Sequence, residues 1–456
     1  MASTNDSERA RLLDLLRLHG RNTTSFVALG QSFRYLWLDA DSCVPFVDTG
    51  SAWVAAGAPV AAIERWEDAA LLFAEKAREK GRRAVFFATE TRFVSRVGAM
   101  DSFLVGEQPV WVPEAWPETV RRVRSLREQL RRARAKGVRI ERLASEVVEA
   151  DTRSRRAIHV LIAGWLRARP MAPMAFIVGV EPFRFSAERR YYAAWRGDCL
   201  VGFLGLVPIY ARGGWLFDDL LREPAAPNGT AELLFDAAMR DLAAEGVTYA
   251  TFGLAPLTGP VSPWLQRAQS WGRPLYDFAG LRAFKHKLRP VRWEPVYVSF
   301  SRGGAPWLVI YDVLRAFSGR GLFRFGVATL LRGPDVIVQL LMVMLVPWTA
   351  LLAVVAPARW FPGPLVRWAW VAFDVALTIA LVALTQRWRR GLATVVALAI
   401  TADFVVTLSE ALAWNLPRVH RFGDALAMVI AVSAPVFASL IMWRARARHS
   451  QAVERA

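Results

Sequence analysis

Cysteine, histidine and negative charge are all scarce in this chain. Its 456 residues hold two cysteines, Cys43 and Cys199. They lie far apart and form no disulfide framework or metal-ligand spacing, which suits a reduced compartment. The five histidines are scattered. His19 and His286 fall beside interesting segments, but a lone histidine more often makes a structural hydrogen bond. No hydrolase triad, zinc site or phosphate-cradling glycine loop is present. The run Gly253-Leu254-Ala255-Pro256-Leu257 reads as a turn after a strand, too short to mark a nucleotide site. Residues 1–20 are polar and helical in pattern, without the apolar core of a signal peptide. The soluble part is therefore expected in the cytoplasm. Only 40 acidic residues face 58 lysines and arginines, for a formal charge of +18. Such a surface suits anionic lipid, nucleic acid or both.

What is abundant is apolar sequence near the end. Residues 336–356 and 425–443 carry no charge, 365–386 carry only Arg367 and Asp374, and 392–414 carry only Asp403 and Glu410. About 20 residues per stretch is what a helix needs to cross roughly 30 Å of hydrocarbon. A four-helix transmembrane region is expected over 334–445, with a cytoplasmic tail at 446–456. One side of these spans has Arg320, Arg324, Arg332, Arg387, Arg389, Arg390, Arg444, Arg446 and Arg448. The other has Arg359, Arg367, Arg418 and Arg421. Nine against four places both termini inside and predicts a multi-pass protein of the inner (cytoplasmic) membrane. Counted at ~1.5 Å per residue, Asp374 and Asp403 fall at similar depth near mid-membrane. Glu410 lies seven residues past Asp403 on the same helix face. No Lys or Arg lies at that depth, so these acids read either as an interhelical hydrogen-bonded staple or as a proton or lipid-headgroup site.

The region before the spans reads as two copies of one α/β plan. In the first, an extended run at 42–60 leads to a helix near 64–80, then Gly81 and a buried strand at 84–88. In the second, strands at 191–195 and 200–210 flank the turn Arg196-Gly197-Asp198. A strand at 215–221 follows, then a helix capped by Thr230, then Gly246 and a strand at 247–252. Both helices carry a Leu-Leu-Phe triplet, at 71–73 and 233–235. The expected segments are 1–115, a basic connection at 116–170, 171–302, an interfacial linker at 303–333, and the spans. In the linker, Trp307, Leu308, Ile310, Tyr311, Leu314 and Phe317 fall on helical spacing, as for a helix lying in a membrane interface or packed at a domain edge.

Three stretches carry charge in chemically useful patterns. Residues 120–143 read as one helix-forming stretch with ten basic residues, among them Arg127, Arg131 and Arg134, against Glu128 and Glu141. It is either a solvated face or a ridge tracking the phosphates of RNA or lipid. Asp218-Asp219 ends a strand, with Arg222, Asn228 and Glu232 close behind. Asp219, Arg222 and Glu232 are expected near one sheet edge, as a salt bridge or as a site for an ammonium and a carbonyl or phosphate. Lys285, Lys287 and Arg289 alternate, and on a strand they would form one basic face.

Taken together, these residues resemble the synthase domain of the phosphatidylglycerol lysyltransferase (multiple peptide resistance factor, DUF2156-like) family. The likeness runs over about residues 11–300, from His19-Gly20-Arg21-Asn22 with Ser25-Phe26, through Gly106-Glu107 and Ser125-Leu126-Arg127. It continues over Asp219-Leu220-Leu221-Arg222, Ala226-Pro227-Asn228-Gly229-Thr230 and Gly253-Leu254-Ala255-Pro256-Leu257. It closes at Phe284-Lys285-His286-Lys287 and Trp293-Glu294-Pro295-Val296-Tyr297. The resemblance implies a tandem pair of acetyltransferase-like (GNAT) folds. It also implies transfer of an aminoacyl group from aminoacyl-tRNA to an anionic membrane phospholipid, with no cofactor. Asp219 and Arg222 match the family's aminoacyl-pocket motif, and Lys285 and Lys287 match its basic tail. Asn228 and Glu232 join them as expected substrate-binding residues. The chain departs from the family at Gly57-Ala58-Pro59, where Gly-Asp-Pro is usual, and at Glu232, where Asp is usual. Its spans follow the synthase region, where the family's lysyltransferases carry a membrane region before it. A different acyl transfer, onto a peptidoglycan precursor or an aminolipid, stays open, as does a non-catalytic membrane sensor or scaffold. No basic-x-x-Gly-x-Gly/Ala run precedes a helix, which weighs against an acyl-CoA donor.

Overall fold

The apolar run Ala84-Val85-Phe86-Phe87-Ala88 has no polar side to offer solvent, and it forms the middle of a strand buried on both faces. That strand belongs to one sheet running through the first of two compact units. The units comprise Met1–Ala168 with Pro173–Phe325, and Arg169–Ala172 with Gly326–Ala456. This computed structural model describes all residues except 1, 151, 170, 273–276, 320, 331–333, 387, 420–421 and 455–456.

The first unit opens with α1 (Ala2–His19), β1 (Arg34–Trp37), β2 (Cys43–Asp48), β3 (Ala52–Ala56), α2 (Trp66–Glu79), β4 (Arg83–Glu90), α3 (Thr91–Arg96) and β5 (Met100–Trp111). A connecting region follows, with α4 (Trp116–Arg122), α5 (Arg124–Ala135), β6 (Val138–Leu143), α6 (Ser145–Glu149) and α7 (Arg153–Ala168). Then come β7 (Arg190–Arg196), β8 (Cys199–Ile209), β9 (Gly214–Arg222), α8 (Thr230–Ala244), β10 (Tyr249–Thr251), β11 (Ala255–Pro256), α9 (Pro263–Gly272), α10 (Phe278–Lys287), β12 (Arg292–Ser301) and α11 (Pro306–Ser318). The strand order is β1-β2-β3-β4-β12-β5-β10-β9-β8-β7-β6, with β11 on β5.

Two pairs in this sheet are parallel, β3 with β4 and β9 with β10. Each is joined by a helix that carries a Leu-Leu-Phe triplet, α2 in one case and α8 in the other. Each helix stops at a glycine in the left-handed region, Gly81 or Gly246. Alternation along the strands assigns the two faces. Ala84 and Phe86 pack under α2 with Phe46 and Phe73, while Val85 and Phe87 pack under α11 with Val309 and Val313. In the other half, Leu204 and Phe217 pack under α8, while Tyr191, Phe203 and Leu221 pack under α7. Three antiparallel steps, β4/β12, β12/β5 and β5/β10, separate the parallel pairs. The carboxyl ends of the two pairs therefore lie at opposite rims of the sheet.

Several sequence expectations change here. The basic stretch 120–143 is not one helix. α5 ends at Ala135, and Gly137, at φ +80°, turns the chain into the edge strand β6. Lys285 and Lys287 lie on the helix α10 rather than on a strand, so they do not share a face with Arg289. Thr230 does not cap α8. Gly229 takes the capping position at φ +95°, and the Thr230 hydroxyl donates to Pro227 O at 2.7 Å. A Cβ at Gly229 would collide with the Gln129 carbonyl of α5.

The chain passes through α12 (Leu322–Leu330) into α13 (Pro334–Ala350), α14 (Pro364–Gln386), α15 (Arg390–Glu410) and α16 (Phe422–Glu454). Among the described residues three helices, not four, are long and apolar enough to cross a membrane: Pro364–Thr385, Arg390–Arg418 and Gly423–Arg446. Within those residues the first apolar stretch is the shorter apolar helix Val338–Val354. Pro347 removes a backbone donor inside α13, and the α-helix gives way to a π-helical turn at Leu351–Val355. Arg367 donates to the Leu352 and Ala353 carbonyls in that turn. Arg320, Arg332, Arg387 and Arg421 lie outside the described residues.

Candidate functional site

Beyond β10 the chain turns through β11 into α9 and α10, and there it lines a pocket of about 890 Å³. Ser125 of α5, the turn Leu257-Thr258-Gly259, Gln266 of α9 and the face of α10 enclose it. Its charge comes from Arg282, Lys287 and Arg289, with His286 beside them. Leu257 and Arg289 both sit at positive φ, +56° and +54°, so the backbone on two sides of the pocket is held in a conformation that non-glycine residues seldom adopt. Glu107 anchors Arg282 at 2.8 Å, and the guanidinium lies 4.8 Å from the Trp293 ring centroid. Lys287 donates to Glu232, in the first turn of α8, at 2.7 Å.

Lys285 serves a different purpose. It is buried, and its three donors go to the carbonyls of Phe252, Gly253 and Leu254 at 3.0–3.1 Å. An ammonium has three donors, so this one is fully used. It ties α10 to the turn that bounds the pocket. Burial pushes it down to about 7.

A second cluster lies toward the carboxyl end of β9. The register between β8 and β9 slips at Gly205/Leu206, which leaves Asp218 as an extra residue in a bulge. Both Asp218 and Asp219 then reach Arg189, at 3.3 and 3.8 Å. Arg189 and Asp219 are both only 6% exposed at the side chain. Asp219 Oδ2 is buried and accepts no hydrogen bond among the described residues. Burial, reinforced by the adjacent Asp218 charge, holds the Asp219 carboxyl well above the usual carboxylate range.

The expected trio at one sheet edge is therefore divided. Asp219 shares a face with Leu221, under α7, whereas Arg222 shares the opposite face with Leu220, toward α8 and Glu232. Neither Arg222 nor the exposed Asn228 has a side-chain partner among the described residues. On α5, Arg127 and Arg131 are exposed, and Arg131 pairs with Glu128 at 3.0 Å. Arg134 instead reaches the buried Asp236 of α8 at 3.0 Å, which also accepts from Trp116 and Arg240. In the second unit each acid has its own donor: Thr349 for Asp374 at 3.3 Å, Thr407 for Asp403 at 3.0 Å and Trp370 for Glu410 at 3.0 Å. Sequence reasoning missed Arg189 and the Glu107–Arg282 pair. The charge spacing gives no sign of either, since their partners lie 29 and 175 residues away.

A crystal structure of the C-terminal DUF2156 domain of a putative lysylphosphatidylglycerol synthetase from Agrobacterium fabrum superposes with a TM-score of 0.61 at 23% identity, covering 70% of this chain and 100% of that one. The structure of L-PGS from Bacillus licheniformis superposes at 0.58 and 20% identity, covering 67% of this chain and 95% of that one. These likenesses establish a common fold. A phosphatidylglycerol lysyltransferase of Bacillus subtilis (strain 168) is 31% identical over 124 residues, which is 25% of this chain and 14% of that protein's length. The family model described as phosphatidylglycerol lysyltransferase, C-terminal, matches residues 13–300, well over half of the chain. The chain belongs to the phosphatidylglycerol lysyltransferase C-terminal family.

Proposed function

We propose that this protein is a membrane-bound aminoacyltransferase that moves an aminoacyl group from charged tRNA to a membrane phospholipid such as phosphatidylglycerol. The observation that carries the reading is the basic pocket between α10 and the amino end of the arginine-rich α5. It suits a phosphorylated strand end arriving along the exposed arginines of α5. The names of the relatives supply the lipid acceptor.

The chemistry needs no ATP, because the ester on tRNA is already activated. A glycerol hydroxyl of the lipid attacks the ester carbonyl. The new ester forms as the terminal ribose oxygen leaves, and the hydroxyl proton ends on that oxygen. The protein's part is positioning and charge stabilisation. Asp219, whose Oδ2 faces Arg189 at 3.8 Å but accepts no hydrogen bond among the described residues, would receive an amino group of the aminoacyl moiety. Arg222 and the Lys287–Glu232 pair would face the phosphates and the α8 side, with Asn228 at the turn between them. Lys285 would hold the turn.

The two helix-crossed parallel pairs support a tandem of acetyltransferase-like folds over 1–115 and 171–302, joined by 116–170. The apolar helices support multi-pass anchoring in the inner membrane, with the first unit in the cytoplasm. α11 leaves Trp307, Tyr311 and Leu314 exposed, which suits an interfacial role for part of 303–333. The test is purified full-length protein in phosphatidylglycerol vesicles, given radiolabelled aminoacyl-tRNAs one amino acid at a time. Label is expected in the lipid phase. Label that stays on tRNA, or moves only from acyl-CoA or only to a peptidoglycan precursor, would overturn the reading.

A further inference from the structure

The opposite rim of the sheet, at the carboxyl ends of β3 and β4, carries a second charged cluster that none of the preceding roles uses. It is built from five neighbouring elements. Glu90 ends β4, Glu294 lies on β12, Gln108 on β5 and Tyr249 on β10, while Arg212 follows β8. Gln108, 1% exposed, donates to both glutamates at 3.3–3.4 Å. Arg212 pairs with Glu90 and with Glu294, and its guanidinium lies 4.7 Å from the Tyr249 ring centroid. Arg292 takes the other oxygen of Glu294 at 2.9 Å.

The loop Gly20–Ser25 closes over this network. Ala211 N donates to Gly20 O at 3.1 Å, which sets Arg21 beside Arg212. Thr23 reaches Gln108 at 3.4 Å. Thr24 packs so tightly on the end of β3 that a Cβ at Gly57 would lie 2.6 Å from its hydroxyl. Arg92 stands two residues beyond Glu90, in the first turn of α3.

The charges in this cluster do not balance. Four guanidiniums, of Arg21, Arg92, Arg212 and Arg292, share two carboxylates, and both carboxylates are taken by Arg212 and Arg292. The guanidiniums of Arg21 and Arg92 have no hydrogen-bond or ion-pair partner among the described residues. Arg212 Nε and the Thr24 hydroxyl are buried donors without an acceptor. Burial, with repulsion from Arg92 and Arg212, lowers the Arg21 pKa. Like charges held together with idle donors form a site prepared for an anion. The two glutamates in the same cluster would repel an extended polyanion such as RNA, whereas Arg21 and Arg92, which neither glutamate pairs with, leave charge for a single phosphate.

We propose that Arg21, Arg92 and Arg212 form a binding site for one phosphate group, that of a phospholipid headgroup. The phosphate site stands on the cluster alone, while its assignment to the acceptor lipid rests on the proposed function. Donor and acceptor would then approach the first unit from opposite rims of one sheet, with the RNA at α5 and α10 and the lipid phosphate at the loop after α1.

The test measures binding apart from catalysis. Full-length protein in a neutral detergent is titrated calorimetrically with glycerophosphoglycerol, with inorganic phosphate and with uncharged tRNA. The variants are Arg21→Gln, Arg92→Gln, their double, and Arg21→Lys as the conservative control. Arg212 is left intact because it holds Glu90 and Glu294. Wild type is expected to bind glycerophosphoglycerol. Each Gln variant should weaken that binding at least ~10-fold, the value of one charge-assisted hydrogen bond. Arg21→Lys should recover part of the loss, and tRNA affinity should stay within about twofold. Unchanged headgroup affinity in the double variant overturns the site. Binding of inorganic phosphate without glycerophosphoglycerol overturns the lipid assignment. Loss of tRNA binding with headgroup binding intact overturns it in favour of RNA. In the vesicle assay, a wild type that binds headgroup but transfers no label refutes the proposed function and leaves the phosphate site standing.

Discussion

Asp219→Asn separates stability from function at the bulge. Asp219 is buried beside Asp218, shares one Arg189 with it at 3.8 Å, and leaves Oδ2 without a donor. Its pKa is raised by burial first and by Asp218 second. A raised carboxyl pKa means that the folded protein keeps a proton that the unfolded chain gives up. The favourable contribution is therefore present in acid and is lost as pH rises through the folded value. Above the folded value the wild type bears the cost of a buried, under-satisfied carboxylate, and the neutral amide does not.

Relief of such a group is worth about 1–3 kcal/mol. For a unit of this size that is a shift of roughly 1–2 °C per kcal/mol. Asp219→Asn is expected to melt higher than wild type once pH exceeds the folded value, with the difference shrinking as pH falls and Asp219, once protonated, resembles Asn. The same variant should lose amine recognition, with KM for aminoacyl-tRNA rising at least ~10-fold for one charge-assisted hydrogen bond. The assay is thermal unfolding of full-length protein in detergent at several pH values, paired with lipid aminoacylation. A variant less stable than wild type above the folded value would show that Arg189 already satisfies the carboxylate. A difference that does not move with pH would refute the titration argument. Wild-type transfer would remove Asp219 from the aminoacyl site.

On α5, Arg127→Glu and Arg131→Glu should weaken tRNA binding and flatten its salt dependence between 50 and 200 mM by about one unit of slope per lost phosphate contact. Unchanged tRNA affinity with lost vesicle binding would assign the ridge to lipid. Arg134→Glu should instead destabilise the first unit by about 1–3 kcal/mol in denaturant titration, because it opposes the buried Asp236. Lys285→Met strands three carbonyls, offset in part by removal of a buried charge, for a net loss of roughly 2 kcal/mol. Limited proteolysis should then cut near Gly253–Leu257, and an unchanged digestion pattern would refute the tie. Asp374→Asn and Asp403→Asn should leave aminoacylation in detergent intact but alter activity or product distribution in intact membranes. Wild-type behaviour there would make the Thr349–Asp374 bond a structural staple.

Local signals marked the elements that end where the sequence changes character. α2 and α8 each combine an apolar face with a terminating glycine, so both crossovers could be read from residues 64–88 and 230–252. Where a polar contact joins distant residues, the same reasoning fails. Lys285-His286-Lys287-Leu288-Arg289 shows a period of two in charge, yet it lies on and just past a helix. Lys285 can be buried because three carbonyls 31–33 residues earlier accept its protons. Hydropathy likewise counted four apolar stretches, but it does not register the π-helical turn at Leu351–Val355 that follows Pro347 in the first. The bulge at Asp218 is a register event between two strands, and no property of Asp218-Asp219 announces it. Yet that slip is what turns two adjacent acids, which would otherwise point to opposite faces, onto one arginine. The residue types at the site were thus legible from β9 alone, while their partnership required β7, β8 and the sheet that holds them.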